Sequence, residues 1–86
     1  MKIKDGFILK EVAGENVVIP TGSNLVDFNA MMTLNETGVF LWQRLEQDTT
    51  IDKLVDAVCA EYDIDRDTAT EDIKDFVQSL EVNGII

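Results

Sequence analysis

The chain has 86 residues, 45% of them apolar, with one cysteine, no histidine and a formal net charge of −10. That length builds one small core and leaves no room for a deep catalytic cleft beside it. The single cysteine, Cys59, excludes an internal disulfide and a thiolate metal cage, and the missing histidine removes the commonest general base, the usual partner of a nucleophilic Ser or Cys, and the favoured zinc nitrogen.

Residues 7–12, "FILKEV", and 16–20, "NVVIP", are short β-branched or aromatic runs around "AGE". They predict an antiparallel hairpin with a three-to-four-residue loop. The turn formers "PTGSN" end the second strand, since Pro20 cannot donate to a sheet ladder. In "VDFNAMMTLNETG", Val26, Phe28, Ala30, Met32 and Leu34 alternate with Asp27, Asn29, Met31 and Thr33. That period of two predicts a third strand over at least Asn29 to Leu34, its first set facing the core.

Three amphipathic helices follow. "NETGVFLWQRLEQ" sets Val39, Trp42 and Leu45 at helical spacing, with Thr33 or Asn35 as N-cap. "TTIDKLVDAVCAEYD" repeats Ile51, Leu54, Val55, Val58, Cys59 and Tyr62 on one face, starting at Thr49, with Cys59 as a small buried hydrophobe. "DRDTATEDIKDFVQSLEVNGII" aligns Ala69, Ile73, Phe76, Val77 and Leu80, capped by Asp65 and stopped at Asn83-Gly84. Three one-sided helices need a common surface. The expected fold is one α+β domain over residues 1–86, winged-helix-like, a small three-stranded antiparallel sheet followed by a three-helix cluster.

The remaining motifs carry no chemistry. "DIDRDTATED" lacks the sixth-position glycine and the acid spacing of a calcium loop, and reads as a helix start. Ser23 in "GSNL" follows a hairpin, not the long helix that precedes the modified serine of acyl carrier proteins, and reads as a turn serine. No apolar run approaches the ~20 residues of a bilayer span, and "MKIKDGFILKE" is no signal peptide, so a cytoplasmic protein is expected. Residues 1–45 hold five acids and four bases, whereas residues 46–86 hold twelve and three. Such a surface repels phosphate backbones and attracts basic partners.

The order and spacing of "LNETGVFLWQRL", "TIDKLVDAVCAEYDID" and "EDIKDFVQSLEVNGII" resemble the PqqD-like domains, also called RiPP recognition elements. The resemblance runs from the "GFILKEVAGENVVIP" hairpin to the closing "NGII". It implies a non-catalytic adaptor, without a cofactor of its own, that binds the leader of a ribosomally made precursor peptide and delivers it to a modifying enzyme, often a radical S-adenosylmethionine protein. The leader would add as a strand along Asn29, Ala30, Met31, Met32 and Thr33, in a cleft walled by Asp72, Phe76 and Val77 of the last helix. The chain has "VDFNA" and Gly84-Ile85-Ile86 where members of the quinone pathway carry a Tyr-Pro-Glu-Gly element and a terminal tryptophan, which points to another peptide pathway. "NAMMTL" lacks the charge or proline that blunts an edge strand, so the edge is expected to be occupied, by a leader, by a second copy in a homodimer or by the chain's own tail. The alternatives are a winged-helix nucleic-acid binder, disfavoured by the acids on the last helix, and a regulatory protein-interaction module.

Overall fold

The computed structural model describes residues 1–21 and 32–86. Among them, strands β1 (Phe7–Val12), β2 (Glu15–Pro20) and β3 (Met32–Leu34) precede helices α1 (Glu36–Leu45), α2 (Ile51–Glu61) and α3 (Arg66–Val82), the expected α+β architecture. The sheet order is β1-β2-β3 with both neighbours antiparallel, Val12 opposite Glu15 and Leu34 opposite Asn16. Ser23 and the upstream part of the expected third strand, including Val26, Phe28, Asn29, Ala30 and Met31, lie outside the described residues.

The hairpin loop is shorter than its sequence suggests. Only Ala13 and Gly14 separate the paired residues, at φ 53° and 82°. Positive φ at both central positions marks the type I′ turn, whose twist matches that of the strands it joins. Glu15, expected in the loop, opens β2.

One face of the sheet meets the helices. Val18 and Leu34 are buried there, with Phe7, Leu9 and Met32 packed against the same cluster. Against them stand Leu41, Trp42 and Leu45 of α1, Leu54, Val55 and Val58 of α2, and Ala69, Ile73, Val77 and Leu80 of α3. Burying each such side chain stabilises the fold by about 1.5–3 kcal/mol against the entropy of ordering it. Cys59 is only half-buried, packed against this cluster rather than within it.

Each helix begins at a polar cap. Of the two expected caps, Asn35 and not Thr33 caps α1. Thr50, one residue later than expected, caps α2 by accepting from the Lys53 amide at 3.2 Å. Asp65 caps α3 as expected, accepting from the Thr68 amide at 3.0 Å and its hydroxyl at 2.7 Å. The hydroxyl first, then the amide, hold the Asp65 carboxyl below its ordinary value. At the far end of α3, Gly84 takes φ +73°, and the Ile85 amide reaches back to the Leu80 carbonyl at 2.9 Å. This is a Schellman closure, and Leu80 and Ile85 are both fully buried in the core cluster.

The N-terminal segment ties these ends together. The Ile3 amide donates to the Leu45 carbonyl at 2.9 Å and the Lys4 amide to that of Ile85 at 2.8 Å. The end of α1 and the segment after α3 are therefore bridged by one extended stretch of backbone, with Ile3 buried between them.

Ala13 carries a left-handed conformation that costs a non-glycine residue about 1–2 kcal/mol, a cost asparagine largely escapes. Ala13→Asn is expected to raise stability by up to ~1 kcal/mol, or about 4–8 °C in Tm for a domain of this size, read by thermal circular dichroism.

Candidate functional site

A single residue separates β3 from α1. Leu34 ends the strand in the core, Asn35 continues in extended backbone (φ −80°, ψ −177°), and Glu36 begins the helix. The Asn35 Oδ1 turns back to accept from the Gly38 amide at 2.8 Å. Gly38 is buried under this junction, where a Cβ would lie 3.2 Å from the Leu34 Cβ and 3.3 Å from the Asn35 Oδ1. The missing side chain lets the first turn of α1 press onto the strand.

Two adjoining hollows flank the junction and share Asn35, Gly38 and Phe76. The shallower, about 600 Å³, runs from the hairpin (Gly14, Glu15, Asn16) past Thr33 and Leu34 to Phe76 of α3. The deeper, about 420 Å³, descends between the three helices to Leu41, Val58, Ile73 and Tyr62, with Asp72 on its lining. Together they form a groove between the β3 side of the sheet and α3. Among the described residues no strand pairs with the outer edge of β3, so that edge opens onto the groove.

The groove has an apolar floor and acidic walls. Tyr62 meets Phe40 edge-on at 5.5 Å between ring centroids and 81°, and the Arg44 guanidinium sits 4.3 Å above the other ring. Burial, then the carboxylates of Glu36 and Glu61, push the Tyr62 phenol above its ordinary value.

The expected site residues divide. Met32 and Thr33 lie on β3, Met32 half-buried and Thr33 exposed at the groove. Asp72 and Phe76 line the groove, one turn apart on α3. Val77, at 4% exposure, belongs to the core and lines neither hollow. Successive helical residues point about 100° apart, so Phe76 and Val77 fall on opposite flanks of one stripe; Ala69, Asp72, Ile73 and Phe76 line the hollows and Val77 does not. Asn29, Ala30 and Met31 lie outside the described residues. Sequence reasoning missed Tyr62, Gly38 and the groove side of Asn35. For Gly38 the signal was present, as a glycine in the first turn of an otherwise regular helix.

Fold and site together define a small winged-helix-like domain in which a sheet edge opens onto an apolar-floored, acid-walled groove. The chain belongs to the PqqD family, whose pattern, described as "Coenzyme PQQ synthesis protein D (PqqD)", matches residues 8–86. Among solved structures it is similar to "TbiB1 in Complex with the TbiA(beta) Leader Peptide", with 30% identity, 99% of this chain and 93% of that one covered, and a TM-score of 0.78. It also shares its fold with "Lasso peptide synthetase B1 complexed with the leader peptide", at 23% identity, 98% and 93% coverage and a TM-score of 0.75. No curated protein sequence matches it.

Removing the cap at the junction tests how tightly the groove is tied to the fold. Asn35→Ala is expected to cost about 1 kcal/mol, a loss of about 4–8 °C in Tm, whereas Asn35→Asp, which keeps the acceptor, stays close to the parent. Thermal unfolding of the two variants checks this.

Proposed function

We propose that the chain is a non-catalytic adaptor that holds the leader of a ribosomally synthesised precursor peptide and presents it to a separate modifying enzyme of the radical S-adenosylmethionine type. The observation that carries this reading is the outer edge of β3, unpaired among the described residues, beside a groove walled by Phe76 and Asp72. An extended peptide laid there satisfies its backbone on the strand and drops alternate side chains into the hollows. Affinity then comes from main-chain hydrogen bonds and specificity from the pockets. Both similar solved structures are leader-peptide complexes, which supports the same use here.

The proposed contact residues are Met32, Thr33, Asp72 and Phe76, together with Asn29, Ala30 and Met31, which lie outside the described residues. Val77 supports the wall from the core side. The adaptor works in the cytoplasm, where its precursor is made. A nucleic-acid role fits poorly: α3 exposes Asp67, Glu71, Asp72 and Asp75, and its Arg66 is engaged by Asp56 at 2.7 Å.

The test is calorimetric titration with a synthetic leader peptide that binds the parent chain. Phe76→Ala should weaken binding at least ~10-fold, as truncation of a central aromatic anchor does, while Glu81→Ala on the same helix should leave it unchanged. Equal affinities for a folded Phe76→Ala variant and the parent would remove α3 from the site.

A further inference from the structure

The charge of the groove goes beyond the shape of its site. Glu15 lines the hairpin end, Glu36 the junction and Asp72 the α3 wall, and no lysine or arginine lines either hollow. Among the described residues the ion pairs are Met1 with Asp48 and Arg66 with Asp56, so these three carboxylates have no cationic partner in the fold. The sign is not forced by an absence of bases nearby: Lys74 and Arg66 belong to α3 and Arg44 to α1, yet none reaches the groove lining.

We propose that the groove selects a basic leader, one whose lysine or arginine side chains flank an apolar anchor, so that the anchor rests against Phe76 and Leu41 while the cations face Glu36 and Asp72. The proposal rests on the reading of the groove as the leader site and adds the chemistry of its occupant. Opposed charges across such a surface guide encounter and exclude wrong partners more than they add raw affinity, because like-charge juxtaposition is costly. An acidic leader of the same apolar pattern is therefore rejected, and a cationic stretch binds with a marked salt dependence.

The experiment uses a random dodecapeptide library on beads, selected with the full chain and with the double variant Glu36→Lys/Asp72→Lys. Amide shifts of the isotope-labelled protein locate each recovered peptide. Peptides recovered by the parent should be enriched in lysine and arginine over aspartate and glutamate, and should shift Thr33 and Phe76. The double variant, still strongly acidic overall, should recover peptides of the opposite bias. A second variant with the same reversals outside the groove, Glu46→Lys/Glu81→Lys, should keep the basic preference. Groove-bound peptides with no charge bias, or a basic bias surviving in the first variant, would overturn the charge selection while leaving the leader site standing. Recovered peptides that shift only residues away from the groove, or no recovery above background, would overturn both.

Discussion

The passage from β3 to α1 through Asn35 alone is the constraint on which the rest of the molecule depends. Leu34 must reach the core while the next residue leaves the strand to cap a helix, and the two requirements fix the helix axis against the strand end. Gly38 eases the approach, since a Cβ there would lie 3.2 Å from the Leu34 Cβ, tighter than ordinary packing. The packing of α2 and α3 then follows, because the apolar stripe of α1 is already aimed. Thr33 and Leu34 of β3 and Phe76 of α3 then line one hollow.

The construction explains how an 86-residue chain presents a binding surface without a separate binding domain. The core takes Val77 and Leu80 of the α3 stripe, Ile73 meets both the core and the floor of the deeper hollow, and Phe76 and Asp72 stand as a wall. The closures lie away from the groove. The Schellman turn at Gly84 and the bridge from Ile3 and Lys4 to Leu45 and Ile85 hold the opposite ends of the helices. These closures are separate from the outer edge of β3, which is unpaired among the described residues, an arrangement suited to gaining a strand without repacking the core.

Much of this was legible in the sequence. Helix periods, the Asp65 cap and the Asn83-Gly84 stop were readable because each follows from local chemistry that tertiary contacts do not overrule. The loop of the hairpin was not, because Ala13 gives no sign of the left-handed conformation it adopts beside Gly14. Thr49 and Thr50 are equally good caps by type, and only the position of the helix on the core chooses Thr50. Val77 and Phe76 belong to one apolar stripe in sequence, and which flank faces a groove is decided by where β3 lies, a contact between residues more than forty positions apart. The groove itself combines the hairpin, the junction and α3, so no contiguous stretch announces it.

The central claim is that a peptide strand pairs with the outer edge of β3. Isotope-filtered nuclear Overhauser spectra of the labelled protein with unlabelled leader peptide report that pairing directly. The account predicts cross-strand contacts between the peptide backbone and the backbone of Met32, Thr33 and Leu34, together with contacts from peptide side chains to the Phe76 ring. Contacts confined to β1, the opposite edge of the sheet, would contradict it.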